Sequence, residues 1–185
     1  MIKKALLIVF VFFVFKAQSQ IIVNNTPPYD NPLFLVDNIL LGSGVVSSNI
    51  TYQGDSSQIG FFNAINTPLG IDSGIVLCTG DVNDLDPSSI PSFPFIANTV
   101  TDPDLLAVAN SVPGMIGQTF VVSSINDVAI LEFDFVPTSD TLKFKYVFGS
   151  EEYLEFVASF NDAFGFFLSG PNPAGGMYVD ENLAI

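Results

Sequence analysis

"AILEFDFVPTSDTLKFKYVF", residues 129–148, decides the fold: apolar and charged residues alternate through it with a period of two, and a turn-forming Pro-Thr-Ser-Asp divides it. Leu131, Phe133 and Phe135 fall on one face and Glu132 and Asp134 on the other. Beyond the turn, Leu142, Phe144 and Tyr146 alternate with Lys143 and Lys145. If Pro137 to Asp140 form the loop, Val136 pairs with Thr141. Asp134 then faces Lys143, Glu132 faces Lys145, Phe135 meets Leu142, Phe133 meets Phe144 and Leu131 meets Tyr146. A slip of one residue would set each lysine opposite an apolar side chain, so the stretch predicts a β-hairpin in this register.

Working outward, the same period predicts strands at "GVVSSNITY" (44–52), "GIVLCTG" (74–80), "QTFVVSSI" (118–125) and "AFGFFLSG" (163–170), separated by Gly, Pro, Asn and Asp. Two short helices interrupt them. In "DNPLFLVDNILLGSG", Asn31 is placed to cap, Pro32 suits the first helical position, Leu33, Val36 and Leu40 share a face, and Gly42 terminates. "TDPDLLAVAN" repeats the device with Asp102 and Pro103. The expectation is a mainly β, antiparallel sandwich of jelly-roll or lectin-like type, with two or three short helices.

The first residues belong to a different argument. "MIKKALLIVFVFFVFKAQSQ" has Lys3 and Lys4, an apolar run from Ala5 to Phe15, and small residues at Ala17 and Ser19, the plan of a signal peptide over residues 1–19. The run is short for a bilayer span and no stop-transfer pattern follows, so an exported, non-integral domain over residues 20–185 is expected. Cleavage removes three of the five lysines, leaving Lys143 and Lys145 against 19 acids, with no Arg and no His. Such a chain cannot neutralise a phosphate backbone, which excludes nucleic acid and anionic membrane as partners. Cys78 is alone and sits in an apolar run; it reads as a small core residue, and stability must come from burial, with or without metal.

Two stretches carry oxygen ligands. "GDVNDLDPSSIPSFPFIANTVT" (80–101) has no usable period and reads as a binding loop or lid. Its "DVNDLD" does not fit an EF-hand, because Leu85 and Asp86 stand where an oxygen ligand and Gly are required. A looser calcium cage from Asp81, Asn83, Asp84 and Asp86 stays open beside a plain solvated turn. The second stretch, "SEEYLEFVASFND" (150–162), connects the hairpin to the next strand and holds Glu151, Glu152 and Glu155, with Asn161 and Asp162 at its far end. Three readings compete there. Glu151 or Glu152 with Asp162 could form the carboxylate pair of a carbohydrate-active hydrolase, although no His or Arg is present to orient it. Glu151, Glu152, Asn161 and Asp162 could ligate Ca2+ and staple a disulfide-free domain. The plainest reading has the glutamates at the start of a short helix, with Tyr153, Phe156 and Val157 inward and Asn-Asp in a turn.

Several motifs also resemble a known family. "NITYQG", "IGFF", "LGIDSGIVLCTGD", "DPDLLAVA", "DVAILEFDFVPTSDTLKFKYVFGSEEYLEFV" and "FNDAFGFFLSGPNPAGG" follow the order and spacing of the choice-of-anchor L domain, with "FGSEEY" and "FND.FGFFLSGP" the most specific parts. That resemblance implies an exported surface module, of a kind common in Bacteroidetes, and no known enzymatic activity. It also implies strands beyond "YVDENLAI", hence a domain incomplete at its C-terminal end. Cys78 departs from the small polar residue expected at its position. The combined reading is a secreted or cell-surface module for binding or adhesion, calcium-stabilised and non-catalytic, with a surface glycan or protein as partner. The alternatives are the hydrolase and a purely structural segment of a larger surface protein.

Overall fold

The computed structural model describes residues 20–85, 98–139, 141–150 and 161–184. Among the described residues, seven strands form three antiparallel sheets. β1 (Ile22–Asn24), β3 (Ile59–Asn63) and β4 (Ser73–Leu77) make one sheet, in the order β1-β3-β4. β2 (Val45–Gln53) pairs with β5 (Ile130–Pro137), and β6 (Phe167–Pro171) with β7 (Met177–Asn182). The two α-helices are α1 (Pro32–Leu35), which widens into a π-turn over Val36–Leu40, and α2 (Pro103–Met115). The expected class, mainly β and antiparallel with short helices, is the observed one.

Both helices begin where local chemistry places them. Asn31 Oδ1 accepts from the backbone N–H of Leu33 at 3.0 Å and of Phe34 at 3.4 Å, and Asp102 Oδ1 accepts from Leu105 N–H at 2.7 Å, each followed by Pro at the first helical position. The inward face of α1 differs from expectation, because the π-turn shifts the phase: Leu35 and Val36 are fully buried while Leu33 is exposed.

β2 and β4 lie where alternation predicts strands, but the hairpin is not formed. β5 pairs instead with β2, in a register that sets Phe135 beside Ser47, Asp134 beside Ser48, Glu132 beside Thr51 and Leu131 beside Tyr52. A bulge between Ser48 and Thr51, with Asn49 at φ 51°, keeps Ser47, Ile50 and Tyr52 on the half-buried face. The acids of β5 are met by amides of β2: Asn49 Nδ2 donates to Asp134 Oδ2 at 2.6 Å and Gln53 Nε2 to Glu132 Oε2 at 3.4 Å. Alternation specifies which face a residue occupies, not which strand lies beside it. Two exposed Lys-carboxylate pairs, at ~0–1 kcal/mol each, do not outweigh the contacts that carry the chain away from β5 after Pro137. The chain is also held against β2 just where the turn was expected, since the N–H and hydroxyl of Thr138 both donate to Gly44 C=O, at 3.0 and 2.6 Å. Gly44 has φ 97°, and a Cβ there would stand 2.7 Å from Thr138 Oγ1.

Residues 118–125 are not a strand either. Asn110 of α2 takes both backbone groups of Val122, donating to its C=O at 3.0 Å and accepting from its N–H at 2.9 Å, so a side-chain amide stands in for a neighbouring strand. β6 begins at Phe167, later than the expected 163.

The core gathers Leu35, Val36, Ile59, Ala64, Val82 and Val128 around one fully buried polar side chain, Gln58. Asp55-Ser-Ser-Gln58 is a capping box: Ser57 N–H donates to Asp55 Oδ1 at 2.9 Å and Asp55 N–H to Gln58 Oε1 at 2.7 Å. The same oxygen accepts from Asn98 Nδ2 at 3.0 Å, while Gln58 Nε2 donates to Thr79 C=O at 3.1 Å and Asp127 C=O at 2.7 Å. All four capacities of the amide are used. Replacing it with an apolar residue of similar size would strand two donors and two carbonyls in the interior. Gln58→Leu is therefore expected to destabilise the fold by about 3 kcal/mol or more, measured by urea unfolding of residues 20–185. A loss below about 1 kcal/mol would show that these groups find other partners.

Candidate functional site

The motif-bearing connection is framed by aromatic rings. Phe144 packs edge-on against Phe166 with centroids 4.5 Å apart, Tyr146 against Phe164 at 5.3 Å, and Phe148 stacks on Phe164 at 6.0 Å. Alternate residues of 144–148 thus meet alternate residues of 164–166, in keeping with the period of two read from the sequence. The rings bring the two ends of the connection together. Glu151, Glu152 and Glu155 lie outside the described residues; Asn161 is exposed and Asp162 half-buried at the exit.

Asp162 acts electrostatically on a residue far away in sequence, Cys78. Burial pushes the Cys78 thiol up, and the carboxylates of Asp162 and Asp81 push it the same way, against hydrogen bonds from the N–H groups of Gly80 and Thr79. The Gly80 N–H lies 3.4 Å from Cys78 Sγ. The exit of the connection and the start of the 80–85 loop therefore converge on the end of β4. Sequence reading treated them as two separate acid groups. No local signal links them, because the approach is made by the sheet.

In that loop Asp81 and Asn83 bond one another. Asp81 Oδ1 accepts from the backbone N–H of Asn83 at 2.9 Å and from its Nδ2 at 2.9 Å, and Asn83 Nδ2 also reaches Asn25 Oδ1 at 3.1 Å. This is an Asx turn opening the short 3₁₀ segment Val82–Leu85. Asp84 N–H donates to Asp81 C=O at 3.0 Å, and Asp86 lies outside the described residues. Among the described residues, no three of His, Cys, Asp and Glu are grouped closely enough to hold a metal ion.

One further acid was missed by sequence reading. Asp127 precedes β5 with φ 56°, gives its C=O to Gln58, and buries Oδ1 without a hydrogen-bond partner. Burial pushes its carboxyl above the ordinary range. "SSIND" reads only as a turn, and nothing local in it announces a buried oxygen.

Fold and site together define a mainly β, antiparallel module in which Asp162, at the exit of an aromatic-framed connection, and Asp81, past the end of β4, both bear on Cys78. The chain belongs to the choice-of-anchor L domain family, whose model matches residues 22–185. Members are surface-associated modules, and the family has no known enzymatic activity. No curated protein and no solved structure matches the chain. Among the described residues, no helix is long and apolar enough to cross a membrane.

Two measurements check the electrostatics. A raised Cys78 pKa keeps the thiol protonated in mildly alkaline solution, so at pH 8 iodoacetamide should modify the native chain at least about tenfold more slowly than the urea-unfolded chain. Equal rates would show that the thiol is not shielded. For Asp127, the folded pKa lies above the unfolded one, so the folded state favours the protonated form and is penalised once the carboxyl ionises. Asp127→Asn retains the left-handed preference and removes the charge. It should melt higher than the parent at pH 7, with the gap closing as pH falls through the raised folded pKa and gone once pH is below the unfolded one. A gap that does not change with pH would contradict this account.

Proposed function

We propose that this protein is an exported binding or adhesion module of the cell surface, non-catalytic, whose contact element is the connection between Gly149 and Asp162, and that Ca2+ stabilises it through Glu151, Glu152, Asn161 and Asp162. The observation that carries the reading is the aromatic frame. Phe144, Tyr146 and Phe148 against Phe164 and Phe166 hold the two ends of the acid-rich connection together, as a presented loop requires. Oxygen donors without His or Cys are the ligand set of a hard cation, and an exported domain with one cysteine has no internal disulfide to staple it. The second cage, from Asp81, Asn83, Asp84 and Asp86, has less support, because Asp81 and Asn83 already bond one another. A strongly acidic surface fits a neutral or cationic glycan or protein as partner better than an anionic one.

The test is calorimetric. With calcium chloride at about a hundredfold excess over its dissociation constant, linkage predicts about 2.7 kcal/mol of added stability and a rise of about 5–10 °C in the melting temperature of residues 20–185. EDTA should reverse the rise, and Glu152→Gln and Asp162→Asn should each remove most of it. An unchanged melting temperature with calcium and with EDTA, in the parent and in both variants, would end the calcium reading. Glycan turnover by the parent that is lost in folded Glu151→Gln would overturn the non-catalytic one.

A further inference from the structure

The two halves of residues 129–148 are complementary yet unpaired within one copy, and we propose that they pair between two copies: residues 142–146 of each chain add as an antiparallel strand to the free edge of β5 in the other. β5 is paired with β2 along one edge only, and among the described residues no strand covers its other edge. That edge is eight residues long, and among the described residues nothing blunts it except the terminal Pro137, since the bulge of this sheet lies on β2. Residues 142–148 are the matching piece. They run outside any ladder among the described residues, with Lys143 and Lys145 exposed and Tyr146 and Phe148 about half exposed.

Charge and register choose the occupant. After loss of the leader, Lys143 and Lys145 are the chain's only side-chain cations, and neither meets a carboxylate among the described residues. Opposite β5 they fall against Asp134 and Glu132, while Leu142, Phe144 and Tyr146 cover the half-buried Phe135, Phe133 and Leu131. Among the described residues, Asn49 occupies only Oδ2 of Asp134 and Gln53 only Oε2 of Glu132, which leaves the other oxygen of each acid for a lysine. Two copies this acidic repel one another elsewhere, so attraction is concentrated here. The chain's own 142–146 segment is drawn off: Thr138 is bound twice to Gly44 as it leaves β5, and Phe144 is docked on Phe166. Reciprocal addition is two-fold symmetric and closes both edges at once, the arrangement of a closed dimer. The proposal is independent of the calcium reading.

The experiment places cysteines at one facing pair, Asp134→Cys with Lys143→Cys, in a Cys78→Ser background of residues 20–185. Directly opposed strand residues lie within disulfide reach. After mild oxidation, a cross-linked dimer on a non-reducing gel is expected. A cross-linked monomer would mean that the hairpin closes within one chain, and no cross-link would mean that the strands do not meet; either overturns the proposal. Sedimentation equilibrium of the unmodified chain should show a dimer. Lys143→Glu with Lys145→Glu should weaken it at least about tenfold, and adding Glu132→Lys with Asp134→Lys should restore it. A parent chain that stays monomeric at its highest soluble concentration, or a charge reversal without effect, counts against it.

Discussion

The structure depends on one buried side-chain amide. Gln58 closes the capping box that launches β3, receives Asn98, and donates to the carbonyls that end the β4 segment and precede β5. Only a group with two donors and an oxygen of two lone pairs can join four backbone or side-chain partners at one point without leaving a remainder. Its backbone joins in, since Cys78 N–H donates to Gln58 C=O at 2.9 Å. The three-stranded sheet and the approach to β5 are thus tied at one residue. The apolar core around it is small enough that these polar terms matter to the position of every neighbouring segment.

What the sequence made legible was local. Asn31 and Asp102 act on N–H groups two or three residues away, so their caps and the starts of both helices could be read directly. β2 was legible from its alternation and β4 from a short apolar run, each bounded by glycines and turn residues. Partners were not. The acids of β5 fit two sets of neighbours equally well by face, the lysines after the turn and the amides of β2, and the choice fell to a bulge at Asn49 and two hydrogen bonds from Thr138 to Gly44. Residues 118–125 show the same limit. Their propensity is that of a strand, yet Val122 is satisfied by Asn110.

The candidate site was half legible for a related reason. Composition located the acids and the rings, and alternation put the rings on one face. That Asp162 and Asp81 would both bear on Cys78 follows only once β4 is set beside its neighbours, since the residues are about eighty positions apart. Asp127 needed still more, because its burial depends on Gln58 drawing the backbone inward.

A broader economy follows from the residues this chain lacks. With one cysteine, five lysines and no arginine or histidine, it has no internal disulfide and few cations for ion-pair networks as long-range ties. Side-chain amides take that role: Gln58 in the core, Asn110 between α2 and Val122, Asn49 and Gln53 across β2 and β5, and Asn182 accepting from the N–H groups of Phe166 and Ala184. Amides do not titrate and are little screened by salt, so these ties hold across conditions that would weaken charged ones. Among the described carboxylates Asp127 stands apart: its Oδ1 is buried without a hydrogen-bond partner and burial raises its pKa, so its charge state, unlike the amides, responds to pH. In a domain facing the outside of a cell, that division separates what keeps the fold from what can respond to the medium.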